Sequence, residues 1–252
     1  MMKQKQKYLL PLITPLLIGA AVQAGVITNY YDGFEGTGNG ANLNTRPAPE
    51  GTLTANWFSR AAIKTTGSAV TITDGAGDNP SNASLGFTAE AGKIYALSAD
   101  LNNISTASFD SVWLGFRDDR SGTAAFTTNN ATAARVFRRA DGDYTIRTED
   151  GTGSLVETSG SGTMKLVLDT TESAWTITTY WNDELAGATY TYTENPDITH
   201  VGFGFSGGGV EEPTQFDNTV NNFSLTVIPE PSTLGLLTAS SAGLLLLRRL
   251  LI

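Results

Sequence analysis

Carboxylates, aromatic rings and one imidazole set the chemistry open to this 252-residue chain. Asp118-Asp119-Arg120 puts two carboxylates and a guanidinium side by side, and Asp141 and Asp143 flank a glycine. A hard cation such as Ca2+ takes several oxygen ligands at once. Either group, helped by loop carbonyls, is therefore a candidate for a structural calcium ion, with solvated turn aspartates as the alternative. Neither has the spacing of an EF-hand loop or of a calcium-binding nonapeptide repeat. Trp57, Tyr180 and Trp181 are candidates for stacking on a sugar, because an aromatic face matches the apolar face of a pyranose. Tyr180 and Trp181 are consecutive, so on a strand they point to opposite faces and one of them turns outwards. Trp113 and Trp175 lie in apolar runs and are expected in the core.

Other chemistry is excluded by what the residues lack. Glycoside hydrolysis needs two carboxylates facing across a cleft, and the string Glu-x-Asp-x-x-Glu, which would set them on one face of a strand, does not occur. Glu172, Glu184, Glu194 and Glu211-Glu212 fall in expected loops. The absence of cysteine removes thiol nucleophiles, thiolate metal sites and disulfides together. The single histidine, His200, leaves no multi-histidine zinc site within one chain and at most one imidazole base. Gly202-x-Gly204-x-x-Gly207 spells a dinucleotide fingerprint, but no helix pattern follows it, and Phe203 and Phe205 alternate as in a strand.

The elements that must position these residues read as strands. Between Gly25 and Val227 helical periodicity is nearly absent, and short β-rich runs alternate with Gly, Asn, Asp and Ser clusters. Expected strands are 30–34, 57–62, 69–73, 84–88, 94–102, 111–117, 134–139, 144–148, 162–168, 174–181, 188–193, 199–205 and 221–227. Residues 73–84 and 207–214 read as loops. Alternation wavers along Ile94–Leu101 and slips near Tyr180, which suggests a bulge there. Asp141-Gly142 is the strongest hairpin signal, since Asp-Gly favours the type I′ turn; it would set Arg139 opposite Tyr144 and Phe137 opposite Ile146. Asn182-Asp183 is a weaker signal of the same kind. The implied fold class is all-β, a two-sheet antiparallel β-sandwich or jelly roll.

The two ends stand apart from this domain. Lys3, Lys5 and Lys7 precede a mostly apolar run from Tyr8 to Val22, and Val22-Gln23-Ala24 suits cleavage before Gly25. That is the pattern of a secretory signal peptide over residues 1–24. At the other end, Pro229-Glu230-Pro231 stops any strand or helix. The uncharged run Leu234–Leu247 and the pair Arg248-Arg249 follow. Fourteen residues is short of the ~20 that span a bilayer comfortably, though flanking residues bring the run nearer a span. The arginines would stay cytoplasmic and leave the domain outside. Setting aside the three lysines and two arginines of the ends leaves 11 basic against 25 acidic groups, a balance of −14. A nucleic-acid partner is therefore not expected, nor is an anionic membrane surface.

The Pro-Glu-Pro element, apolar run and basic terminus together resemble the PEP-CTERM sorting tail of Gram-negative, exopolysaccharide-producing bacteria. The resemblance implies recognition by an exosortase, transient contact with the inner membrane through a C-terminal hydrophobic helix, and a place at the cell surface or in the extracellular matrix. An ordinary membrane anchor is the alternative. Leu43–Trp57, Tyr95–Phe116 and Lys165–Thr193 resemble pieces of the concanavalin-A/laminin-G-like jelly rolls of such proteins. That resemblance implies a domain over residues 25–227, with the tail over 228–252, whose first and last strands pair and whose face or loops bind a glycan. A structural or carbohydrate-binding role without catalysis and without a cofactor other than calcium is the expectation; a glycan-cleaving hydrolase or lyase on the same scaffold is the alternative.

Overall fold

A computed structural model describes residues 27–35, 40–41, 43, 46, 50–51, 56–59, 63–72, 81–103, 110–118, 133–138, 143–148, 156–158, 160–206 and 218–228. All lie within Gly25–Glu230, which forms one unit apart from Met1–Ala24 and Pro231–Ile252. The signal-peptide residues and Pro229, Glu230, Pro231, Arg248 and Arg249 lie outside the described residues. No helix among those described is long and apolar enough to cross a membrane.

The described elements are all strands. In chain order they are β1 (Ile27–Asp32), β2 (Glu50–Gly51), β3 (Phe58–Ser59), β4 (Ile63–Thr65), β5 (Val70–Ile72), β6 (Ser81–Gly86), β7 (Ile94–Asn102) and β8 (Ser111–Arg117). There follow β9 (Ala133–Arg138), β10 (Tyr144–Thr148), β11 (Val156–Thr158), β12 (Ser161–Asp169) and β13 (Thr176–Trp181). The last are β14 (Glu184–Leu185), β15 (Tyr190–Thr191), β16 (His200–Ser206) and β17 (Thr219–Ile228). They form two antiparallel sheets. The ten-stranded sheet runs β14-β13-β12-β7-β17-β1-β2, with β15 on β13 and the pair β4-β5 on β17; the seven-stranded sheet runs β11-β10-β9-β8-β16-β6-β3. The expected two-sheet sandwich is present. The first and last strands do pair, Ile27 with Val227 and Tyr30 with Leu225, so β17 closes the domain against β1.

Alternation decides which side chains enter the core between the sheets. In β7, Tyr95, Leu97, Ala99 and Leu101 are buried, and Ile94, Ala96, Ser98, Asp100 and Asn102 face out. The period that wavers in sequence is regular in the fold, because Ala96 is simply an outward-facing small residue. β13 carries no bulge at Tyr180: Ile177, Thr179 and Trp181 point inwards, and the register with β12 is unbroken from Thr176 to Trp181. The irregularities fall instead in β1, between Thr28 and Tyr30, and in β17, between Asn221 and Ser224.

Two turn expectations exchange roles. Trp181 pairs with Glu184 across Asn182 and Asp183, whose φ angles are 50° and 65°, the doubly left-handed geometry of a two-residue type I′ hairpin. The 9–10 hairpin forms, but its ladder ends at Arg138–Tyr144, leaving five residues between the strands. Its register is one residue away from that of a two-residue loop, with Thr145 opposite Phe137 and Ile146 opposite Val136. The apolar pattern sets this register, since it brings Val136 and Ile146 together in the core. The segment read as a loop up to Ser84 contains the start of β6 at Ser81. Its polar residues Ser81, Asn82 and Ser84 are buried.

One clasp ties β1 to the Leu43–Trp57 segment. Asp32 is fully buried and accepts hydrogen bonds from Phe34 N (2.7 Å), Tyr30 OH (3.2 Å) and Trp57 Nε1 (2.9 Å). Arg46 reaches both carboxylate oxygens, through Nε at 3.2 Å and Nη2 at 3.0 Å, and also donates to the Glu35 carbonyl. Burial, with the Asp32 charge adding to it, raises the Tyr30 pKa and keeps its phenol protonated. Phe34 adopts φ 56°, a left-handed conformation costly for a bulky residue. The hydrogen bond from its N–H to Asp32 and the burial of its ring against Trp57 and Phe203 hold it there.

Candidate functional site

The structure sorts the candidate aromatics by face. Trp57 is not available to a sugar. Its ring is buried among Tyr30, Phe34, Phe203 and Phe223, and its N–H is taken by Asp32. Trp181 points into the core at 7% exposure, and Trp175 is buried there too. Tyr180 is the outward member of the consecutive pair. It lies half-buried on the outer face of the ten-stranded sheet, with the Lys165 ammonium 5.0 Å from its ring centre, and Lys165 also pairs with Asp183.

Trp113 departs from the sequence expectation. It is 2% exposed, yet it does not belong to the core between the sheets; it packs with Ala133 in a separate cluster. Its neighbours Val112, Leu114 and Phe116 fill the core, so alternation turns Trp113 to the outer face of the seven-stranded sheet. Ser111, Gly115 and Arg117 share its face of β8.

The ladders show what surrounds Trp113. Asn82 on β6 stands opposite Gly204 on β16, Gly204 opposite Trp113 on β8, Trp113 opposite Arg135 on β9, and Arg135 opposite Arg147 on β10. The guanidinium of Arg135 lies 4.8 Å from the Trp113 ring centre, within cation–π range. A Cβ on Gly204 would run into the Asn82 side-chain oxygen, and one on Gly202 into the Ala83 carbonyl oxygen. The glycine face of β16, legible in Val201-Gly202-Phe203-Gly204-Phe205, is thus required by close approach on this side, while the phenylalanines fill the core.

A second row of small residues lies beside the first. Ser84, Gly202, Gly115 and Ala133 stand opposite one another across four strands, with Phe58 at the β3 end. Beyond them, His200 faces Arg117. This patch is covered on its outer side: Asn82, Trp113, Ser84, Ala133 and Arg117 are each 6% exposed or less. His200 Nδ1 lies 2.8 Å from the Thr199 hydroxyl.

Two further polar groups mark this face. The hydroxyls of Ser111 and Thr145 are fully buried without a hydrogen-bond partner. Both precede core residues, Val112 and Ile146, and so turn outwards, on either side of the Phe137 position. Carboxylates are scarce here: among the described residues the strands of this sheet hold one, Glu157 on the edge strand β11. The outward rows around Trp113 contain no facing acidic pair.

One residue of each calcium candidate pair is described. Asp118 is exposed just after β8, where its carbonyl accepts from Thr199 Oγ1 at 2.7 Å, and Asp143 is exposed just before β10. Asp119 and Asp141 lie outside the described residues. No group of three or more His, Asp or Glu side chains gathers among the described residues.

Comparison with known proteins bears on the fold. No protein-family model matches the chain, and no curated protein is similar to it. Among solved structures, the endo-1,3-beta-glucanase of Streptomyces sioyaensis superposes with a TM-score of 0.51 at 14% identity, covering 81% of this chain and 97% of that one. The domain is a two-sheet antiparallel β-sandwich and shares that fold with the glucanase. The lumenal domain of VIP36 in its Ca2+- and Man-bound form gives a TM-score of 0.47 at 10% identity, covering 81% and 91% of the two chains. The carbohydrate recognition domain of Emp47p gives 0.45 at 12% identity, covering 80% and 96%. At these identities the likeness is one of fold alone.

Proposed function

We propose that this is an exported glycan-binding protein of the cell surface or exopolysaccharide matrix, without catalytic activity. Its candidate platform is Tyr180, which turns outwards on the ten-stranded sheet. The observation that carries the reading is this half-buried ring with the Lys165 ammonium 5.0 Å from its centre and Asp183 paired to that lysine. An accessible aromatic face suits the apolar face of a pyranose, and the ammonium and carboxylate beside it can hydrogen-bond a sugar's hydroxyls. The glucanase that shares the fold acts, by its name, on a β-1,3-glucan. Fold does not carry activity over, and a sequence without the Glu-x-Asp-x-x-Glu string favours binding over cleavage. Export, exosortase processing and contact with the inner membrane are the reading of the leader and tail; calcium at Asp118-Asp119 or at Asp141 and Asp143 is the one cofactor this reading includes.

The test is a glycan array probed with the full-length protein, with and without calcium, followed by titration of the best ligand. Tyr180→Ala is expected to weaken binding by roughly tenfold or more, as for an aromatic at the centre of an interface. No new reducing ends should appear. Failure to bind any glycan under either condition removes the reading, and release of reducing ends restores the hydrolase alternative.

A further inference from the structure

Among the described residues, two large apolar side chains are exposed, Tyr31 at 37% and Leu185 at 58%. Single exposed apolar residues are ordinary on a surface; aligned ones call for a reason. The ladders of the ten-stranded sheet put both in the row of Tyr180. Leu185 on β14 stands opposite Tyr180 on β13, Tyr180 opposite Lys165 on β12, and Lys165 opposite Ser98 on β7. Ser98 stands opposite Ser224 on β17, and Ser224 opposite Tyr31 on β1. None of the six is buried. Side chains in one such row share a face of the sheet. Tyr180 and Tyr31 are four strands apart, so at ~4.8 Å per strand about 19 Å separates their positions. Between them stand small side chains, with Ser98 Oγ and Ser224 Oγ hydrogen-bonded at 2.8 Å. A polar rail runs beside the row. Asp100 accepts from Thr163 Oγ1 at 2.6 Å and from Asn222 Nδ2 at 2.7 Å, and Tyr31 OH donates to Asn222 Oδ1 at 2.8 Å. Asn222 comes from the irregular stretch of β17 and adopts φ 49°, which an asparagine tolerates. The chain Tyr31–Asn222–Asp100–Thr163 thus orders the Tyr31 ring on the open face.

We propose that this row binds an uncharged linear glycan lying across the strands, with one sugar against Tyr180 and Leu185 and another, further along the polymer, against Tyr31. The inference rests on the glycan reading and extends it: the Tyr180 platform is one end of a two-ended site. Rings at both ends with hydroxyl-bearing side chains between them suit a polymer whose sugars show apolar faces to aromatics and hydroxyls to polar groups. A span of about 19 Å exceeds one sugar, so a monosaccharide reaches a single ring. Charge decides against an acidic polymer. Lys165 is already paired with Asp183, Asp100 sets a second carboxylate beside the row, and the domain as a whole is acidic. Once a long glycan is held at one ring, its contact with the other is intramolecular, so the two contacts reinforce each other.

The experiment titrates β-1,3- and β-1,4-glucan oligosaccharides, from the disaccharide to the hexasaccharide, onto the full-length protein and onto Tyr31→Ala and Tyr31→Phe. For the series that binds, affinity should rise at least tenfold with chain length and level off once both rings are reached. Tyr31→Ala should remove that rise and leave the disaccharide, held at Tyr180, bound as before. Tyr31→Phe keeps the ring and should restore most of the rise. A uronate hexasaccharide should bind at least tenfold more weakly than the neutral one. Affinity that does not grow beyond the disaccharide, or that grows equally in Tyr31→Ala, overturns the inference and leaves the glycan reading intact. Tighter binding of the uronate overturns it as well. Binding of none of the oligosaccharides defeats both readings. Self-association of the glycan-free protein that Tyr31→Ala abolishes, in place of glycan binding, overturns the inference and assigns the row to a second copy of the chain. The length series uses the unaltered protein, so its outcome does not depend on whether the variants fold.

Discussion

Asp32→Ala is expected to lower the stability of the domain by about 3–5 kcal/mol, the range for removing one partner of a buried ion pair. The loss exceeds that of any one contact because five donors converge on the carboxylate: the Phe34 amide, the Tyr30 phenol, the Trp57 indole and two nitrogens of Arg46. Once it is gone, a mostly buried guanidinium and a buried indole N–H have no acceptor there. Phe34 also loses the hydrogen bond that holds its left-handed backbone. The cost is therefore chiefly that of orphaned groups, which gives a second, sharper expectation. Asp32→Leu combined with Arg46→Met should cost less than Asp32→Ala alone, because removing both partners leaves no buried charge. Urea unfolding of the three proteins measures this. A loss below about 1 kcal/mol for Asp32→Ala, or a double variant worse than the single, would show that the clasp is not what closes this end of the sandwich.

The consecutive residues Tyr180 and Trp181 should respond in opposite ways to the same truncation. Trp181→Ala removes a core indole and is expected to cost about 3–5 kcal/mol. Tyr180→Ala removes a half-buried ring from the outer face, where its polar neighbour is Lys165, and should cost no more than about 1 kcal/mol. Denaturant midpoints at equal slope read both values. Similar losses from the two changes would mean that β13 does not alternate as described and that its register on β12 is wrong.

How much of this was legible depended on how far a residue's role is fixed by its near neighbours. Ile94–Asn102, Ser111–Arg117 and Tyr144–Thr148 form strands with the bounds read from sequence, because β-branched and aromatic residues lie between clear turn residues. The pairing of β1 with β17 followed from the jelly-roll resemblance, not from local pattern. Short strands such as Glu50–Gly51, Val156–Thr158 and Glu184–Leu185 leave no periodicity to read. The role of Asp32 was hidden for another reason: its partners Arg46 and Trp57 are 14 and 25 residues away, and an aspartate after two tyrosines reads as the end of a strand. The outward turn of Trp113 was legible within β8, where Val112, Leu114 and Phe116 alternate with Ser111, Trp113, Gly115 and Arg117. Its burial on that outer face was not, because nothing in the strand itself says what covers it.

The most direct test of the binding site titrates a β-glucan oligosaccharide onto the full-length protein and onto Tyr180→Ala by calorimetry, with the unfolding midpoint of each measured alongside. Saturable binding to the unaltered protein, weakened at least tenfold in Tyr180→Ala at a nearly unchanged midpoint, is the expected result. Equal binding by the two proteins would contradict the assignment of the site to the outward ring of Tyr180.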